Sequence, residues 1–425
     1  MITIETLKVK VFAGAKAKNL VITDEVLDRW AKEFAAIEKL DCTEYIWINS
    51  LIADICNRNN WFRTPGFSNE ISSMVDYCLD ITKINPIDEK LVVECFIHPY
   101  FLPLRITVLL AEGRKGCLID ILKTELPDYN FSEWAFQPSE NDPTDYEKIT
   151  IEGSEYCVQA GGVIIAHKSI QFITSRHQVS GRDFYLKKDR KISYAELDKY
   201  TYGISENHYL TKFESIINQV DVANHPYNLP LDDALTYRFL LNKDNLKGLH
   251  FIHLHAKCGL LSYVKPTSIY DLAATKAVYL SRSSAHINRY IKCKNTYSEP
   301  QFESDKRVDA LLHETYGALI YAETFVNIAH EIAGIELEDA EIHYKYLRSN
   351  RYIEMIDRFY TDFEKGCSEN STLTRQDFNK LVELIKESVV HLFSKTYCLS
   401  SSCVSYWSAY YKVHFTAIFD KGFSS

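Results

Sequence analysis

Glycine and proline are scarce in this sequence, at 15 and 11 of 425 residues. That scarcity excludes collagen-like and low-complexity chains, which need far more of both. No window approaches the ~18 uninterrupted apolar residues of a membrane-spanning helix. The best stretch, Gly317 to Ile335, is broken by Glu323, Asn327, His330 and Glu331. The opening Met-Ile-Thr-Ile-Glu-Thr-Leu-Lys has no basic start followed by an apolar block, so no signal peptide and no integral membrane association are expected. Positive charge is in deficit: 48 Lys and Arg face 57 Asp and Glu, a net charge of -9. A globally basic nucleic-acid binder is thereby disfavoured, while a local basic face stays open.

Several catalytic signatures are missing. There is no G-x-x-x-x-G-K, no G-x-G-x-x-G and no G-x-S-x-G, so phosphate-loop, dinucleotide and hydrolase-elbow readings lose their main support. Two His-Glu pairs occur, at His313 and His330, but the second histidine of a zinc helix is replaced by Gly317 and Gly334. The 11 cysteines are odd in number and contain no Cys-x-x-Cys. This is the usage of a reduced, intracellular protein with free thiols rather than a disulfide framework. The expected location is cytoplasmic, or a cytosol reached without a classical signal.

What is abundant is apolar and aromatic, at 46% and 13% of residues. Such a chain folds around a large core. The fold class read from periodicity is α+β and helix-dominated. An N-terminal mixed α/β part carries a small antiparallel β meander, and a multi-helix bundle follows. Residues 1–136 read as an α+β domain. Leu7, Val9 and Val11 alternate with lysines and predict a strand over Ile2–Val11. Helices are predicted over about 24–37, 43–58 and 68–81, and strands over Lys90–His98 and Arg105–Ala111. The polar, proline-containing stretch 137–147 marks a boundary. Residues 147–230 read as the meander, with a hairpin at Gly161-Gly162, and a mixed connector. Residues 231–425 read as the bundle, with helices over 231–243, 268–293, 304–333, 336–365, 374–397 and 402–419.

Three candidate sites emerge. In a helix over 268–293, Arg282, His286 and Arg289 fall within about 60° of one another beside the apolar face. Two guanidinium groups and an imidazole in one stripe suit a phosphodiester, with His286 as acid or base. The run Arg282-Ser-Ser-Ala-His286 resembles the Arg-to-His element of HEPN nucleases, one residue short; the likeness implies metal-independent RNA cleavage. Glu323 and His330 lie at the margin of an apolar helical arc and offer half of a metal site. Leu249-His-Phe-Ile-His-Leu-His255 places His253 and His255 on one strand face as further metal ligands. Tyrosine is the third signal: 28 residues, with Tyr344, Tyr346, Tyr352 and Tyr360 on one helix and Tyr406, Trp407, Tyr410 and Tyr411 on the last. Aromatics with polar tips suit a surface that is covered part of the time.

The reading these signals favour is a soluble binding or regulatory protein, meeting a protein partner through its tyrosine-rich C-terminal helices. Two alternatives are a metal-independent enzyme that cleaves RNA or handles a phosphate ligand on the basic stripe, and a metal-dependent enzyme using the Glu/His site. No cofactor is specified by the sequence.

Overall fold

Thr3 opens the chain's first helix: its hydroxyl accepts the N–H of Thr6, and helix α1 runs from Ile4 to Ala17. Leu7, Val11 and Ala15, four residues apart, are the side chains it buries, while Val9 stands 70% exposed. The expected strand over Ile2–Val11 is therefore a helix. The Lys-Val alternation is real, but the burial follows period 3.6 and the cap at Thr3 fixes the start.

The computed structural model describes residues 2–97, 105–137, 147–170, 172, 176–187, 197, 199–246, 248–249, 252, 259–296 and 302–424. The fold is α+β and helix-dominated. It comprises two compact units, one of Met1–Ile87 with Ile97–Ser215 and one of Asp88–Phe96 with Ile216–Ser425.

In the first unit, α2 (Asp24–Lys39), α3 (Thr43–Arg58) and the short α4 (Met74–Cys78) follow α1. Trp30, Phe34 and Ile37 of α2 are buried at the spacing the sequence implies. The helix expected over 68–81 is shorter, a 3-10 turn at Asn69–Ser72 followed by α4. Lys90–His98 was expected to be a strand; its described part holds a 3-10 turn at Val93–Cys95, belonging to the second unit.

The sheet contains, among the described residues, β1 (Thr107–Leu110), β2 (Tyr129–Phe136), β3 (Lys148–Ile151), β4 (Ser154–His167), β5 (Arg176–Val179), β6 (Arg182–Lys187) and β7 (Thr201–Glu206). Helices α5 (Arg114–Glu125) and α6 (His208–Ile217) complete the unit's elements. The strand order is β1-β7-β4-β2-β6-β5, with β3 added to β4. The sheet is mixed, not a plain meander: β1·β7 and β2·β6 are parallel. Glu152 and Gly153, both at positive φ, turn β3 into β4, as a two-residue hairpin requires. The hairpin expected at Gly161-Gly162 is instead a bulge inside the continuous β4. Pairing with β2 shifts between Glu133 and Ala135, and Gly161 sits at φ +82° with Ser205 Oγ 2.3 Å from where a Cβ would stand.

The second unit is helical: α7 (Ala234–Leu240), α8 (Leu260–Val264), α9 (Ile269–Leu280), α10 (Ser284–Thr296), α11 (Lys306–Leu312), α12 (Ala322–Ala333), α13 (Leu337–Ser349), α14 (Ile353–Asn370), α15 (Arg375–Ser388), α16 (Lys395–His414) and α17 (Thr416–Ser424). Phe325 and Ile332 of α12, Tyr344 of α13, Phe359 and Phe363 of α14 and Ile385 of α15 share one core. Three helices expected to be continuous are broken at residues in the left-handed region: Arg282 (φ 55°), Tyr316 (φ 57°) and Asn350 (φ 50°). Long apolar periodicity carried across each break because both halves bury a face.

Close helix approach makes Gly14 informative. A Cβ there would stand 1.9 Å from the carbonyl oxygen of Cys78, at the end of α4. Helix propensity alone would favour Gly14→Ala by roughly 0.5–1 kcal/mol. Overpacking of this kind costs about 1–3 kcal/mol, so the substitution is expected to lower the urea midpoint. A raised midpoint would show that α1 and α4 can separate at no cost.

Candidate functional site

Alternation along the sheet of the first unit sets one polar cleft. Glu133 pairs with Phe184 across β2 and β6, and with Val163 across β2 and β4; Val163 pairs with Tyr202 of β7. Period two then places Glu133, Ile204 and Glu206 on the same face. There they meet Lys115, Asp120 and Lys123 of α5, together with Arg182 and Glu147, around a cleft of about 620 Å³.

Several charges in this cleft are committed to one another. Arg182 reaches Glu133 at 2.8 and 2.9 Å and also bonds Glu147. The Lys115 ammonium lies 3.8 Å from Glu133, and its backbone N–H donates to Glu206 at 2.8 Å. At the start of α5, Arg114 donates to Glu214 at 2.6 Å, and Glu214 also accepts from Phe62 N–H at 3.0 Å.

Carboxylates are also buried among the helices. Glu33 of α2 accepts from Arg29 at 3.0 Å and, at 2.8 Å each, from the Ser73 hydroxyl and the N–H groups of Met74 and Val75. It caps the start of α4, whose first N–H groups have no partner within the helix. Burial raises its pKa, and these four donors oppose the rise. Glu70 accepts the N–H groups of Phe67 and Ser68, and burial pushes it up to about 7. Asp76 is different. Neither carboxylate oxygen has a partner among the described residues, and burial, then Glu33 and Glu70, raise its pKa well above the ordinary range. Burial without a donor favours its protonated form.

In the second unit Glu323, a candidate metal ligand, does what Glu33 does. It accepts from the Ser394 hydroxyl at 3.2 Å and from the N–H groups of Lys395 and Thr396 at 2.8 and 3.2 Å, capping α16. His330 bonds the carbonyl of Ile335 through Nδ1 at 2.8 Å. The two thus face separate partners. His253 and His255 lie outside the described residues. Among the described residues no group of three or more His, Cys, Asp or Glu is placed to hold a metal ion.

Arg282, His286 and Arg289 do not share one helix. Arg282 is exposed in the turn between α9 and α10, while the other two lie on α10. Arg289 pairs with Glu387. His286 is buried, its Nε2 has no partner among the described residues, and its ring lies 5.8 Å from that of His391. Burial first, then His391 and Arg289, hold its pKa down to about 4, so the imidazole is neutral. The tyrosines of the last long helix belong to the core: Tyr406 and Tyr411 are fully buried, and Tyr411 donates to Asn224 O at 2.6 Å. The ten described cysteines are free thiols.

Comparison with known proteins overturns the functional readings made from sequence. Residues 5–101 match the family model described as "Bacterial DNA polymerase III alpha NTPase domain", and residues 208–371 match "Bacterial DNA polymerase III alpha subunit finger domain". The chain is 24% identical over 454 residues to the DNA polymerase III subunit alpha of Mycoplasma genitalium, covering 92% of this chain and 51% of that protein. The Mycoplasma pneumoniae subunit is 23% identical over 450 residues, covering 91% and 51%. The Thermus aquaticus subunit is 27% identical over 196 residues, covering 45% and 16%. The chain spans about half the length of the two Mycoplasma relatives. These matches replace the regulatory binding protein, the RNA-cleaving enzyme and the Glu/His metal enzyme alike. The tyrosine signal misled because Tyr344, Tyr406, Trp407 and Tyr411 are buried in the core, and the basic stripe because a turn at Arg282 divides it. Glu133 and Arg182 went unnoticed because a lone acid and a lone base in separate strands form no motif.

The buried acids carry a stability prediction. Asp76 and Glu70 hold protons in the folded chain that the unfolded chain releases near the ordinary carboxylate values of about 4. Folded binding of extra protons makes stability fall as pH rises, by up to about 1.4 kcal/mol per unit for each group over its window. For Glu70 that window runs from the ordinary value, 4.5, to about 7. Asp76→Asn should remove one such slope while leaving that of Glu70. Urea titrations at pH 5, 6, 7 and 8 read this directly; an unchanged slope would mean that Asp76 is ionised in the fold.

Proposed function

We propose that this chain acts on DNA as a DNA polymerase III alpha-type protein, taking hold of primed DNA during replication in the company of further polypeptides. One observation carries the reading: two different domains of the same bacterial subunit match in separate segments of one chain. The alignment with the Mycoplasma genitalium subunit extends over 92% of the chain. No helix among the described residues is long and apolar enough to cross a membrane, which suits work in the cytoplasm. DNA takes the place of the RNA or phosphate ligand inferred from sequence, which the comparisons do not support.

With a net charge of -9, DNA contact has to come from local groups of lysine and arginine. Between Asp271 and Glu299 the sequence has Lys276, Arg282, Arg289, Lys292 and Lys294 and no acid, inside the segment that matches the finger domain. Arg282 and Lys292 are the exposed members. We assign them to phosphate contact. Arg289 is held by Glu387, and His286 is a buried neutral support.

The test is fluorescence anisotropy of a labelled primer–template at several salt concentrations. Arg282→Ala with Lys292→Ala is expected to weaken binding roughly tenfold or more at low salt. The slope of log affinity against log salt should fall by about 0.9 per lost contact. No binding by the wild-type chain at low salt would overturn the DNA reading. An unaltered slope in the double variant would overturn the assignment of the two residues.

A further inference from the structure

Template-directed nucleotide transfer uses two divalent cations about 3.5–4 Å apart, clamped between carboxylates. Magnesium demands hard oxygen ligands in near-octahedral geometry and gives up water reluctantly. A chain that performs this chemistry needs at least two carboxylates that converge and are not already neutralised by cations.

The described strands do not supply them. Their carboxylates are Glu133 on β2, Glu155 on β4, Asp183 on β6 and Glu206 on β7. Asp183 precedes the residue that pairs with Glu133, so it points to the opposite face. It lies 3.8 Å from Arg176. Glu155 is bonded to Lys148 at 2.8 Å. Glu133 and Glu206 share a face but stand on strands separated by β4. Two strand spacings are about 9.5 Å, more than twice the metal–metal distance. Glu133 is further bracketed by Arg182 and Lys115, and two cations beside one carboxylate repel a third. The stretch from Phe96 through Ala111, which contains all of β1, has no Asp or Glu. Two of the buried acids fit no better: N–H groups point their hydrogens at the oxygens of Glu33 and Glu70, where a cation would have to sit. Asp76, the third, has no donor on either oxygen among the described residues, and burial favours its protonated form, which is a poor metal ligand.

Position along the chain agrees. The matched segments end at 101 and resume at 208, and all seven described strands lie between them. Neither family model covers the sheet, although the longer alignment with the Mycoplasma genitalium subunit runs through it.

We infer that this chain holds primed DNA without extending it, the strand carboxylates of its sheet cleft being engaged by Arg182 and Lys115 rather than set apart for a two-metal centre. The inference rests on the DNA reading above and deepens it. Glu140, Asp142, Asp145, Asp189, Glu196 and Asp198 lie outside the described residues, so the test uses the full chain, which includes them.

Two measurements on the wild-type chain and on Glu133→Gln decide the matter. Primer–template binding is compared in EDTA and in magnesium, with primer extension followed in the same samples. Manganese is titrated alone and monitored by its electron paramagnetic resonance signal. The expected result is affinity equal within about twofold in EDTA and magnesium, since phosphate contacts by lysine and arginine need no divalent ion. No primer should lengthen, and the manganese signal should show no saturable site at micromolar concentration. Extension by the wild-type chain overturns the inference. So does stoichiometric manganese binding, whether or not Glu133→Gln abolishes it. Failure to bind DNA in any buffer overturns the DNA reading instead; the manganese titration still decides whether a metal centre exists.

Discussion

A carboxylate buried in one helix and accepting the free N–H groups at the start of another is the interaction on which both units depend. Glu33 joins α2 to α4, and Glu323 joins α12 to α16, across 40 and more residues of sequence. Each arrangement solves two problems at once. The first N–H groups of a helix have no partner within it, and a buried carboxylate has lost its water. Together they satisfy each other, and the positive end of the helix dipole adds to the attraction. Such a contact is directional, so it fixes where the capped helix begins. Asp76 shows the alternative. It lies in α4 itself, its oxygens receive no donor among the described residues, and burial raises its pKa well above the ordinary range.

The sheet obeys the same constraint by a different route. Its acids lie near solvent and are matched by bases from neighbouring elements: Glu133 by Arg182 of the parallel neighbour β6, Glu206 by the N–H of Lys115 at the start of α5. The bulge at Gly161 matters here. It shifts β4 against β2 just beyond Glu133, and Gly161 itself lines the cleft beside Ser205. A side chain at Gly161 would meet the Ser205 hydroxyl, so the cleft's floor depends on the missing Cβ.

Much of the helical layout was legible in the sequence, because burial follows period 3.6 wherever a helix packs on one side. Trp30, Phe34 and Ile37 show this, as do Phe325, Ile328 and Ile332. Breaks were not legible. Arg282 and Tyr316 adopt left-handed backbone conformations that their residue types do not announce, and glycine follows only Tyr316; Asn350 does so as well, a residue type that tolerates this conformation. The N-terminal helix was misread because Val9 and Lys10 happen to alternate. The candidate site was hidden for a deeper reason. A buried acid looks the same in sequence whether its oxygens meet a metal, a histidine or a helix N-terminus. Glu323 was placed at the margin of an apolar arc, yet its partners, 71 to 73 residues further on, are one hydroxyl and two backbone N–H groups that no motif records.

That asymmetry separates two demands on a fold, helical layout and metal chemistry. Helical layout is held by many apolar contacts and a few caps, so it tolerates extensive substitution as long as volume and pattern persist. A two-metal centre is held by a handful of oxygens whose geometry admits almost no change. One base placed beside one acid, as Arg182 is beside Glu133, costs the fold little: an ion pair with partial solvent exposure is worth about 1 kcal/mol or less. The same placement fills the position a cation would need. Binding of a duplex draws on surface charge and on the disposition of helices, which such a change leaves in place. Grip on a duplex and two-metal chemistry thus make separate demands on a fold, and an ion pair within a cleft bears on only one of them.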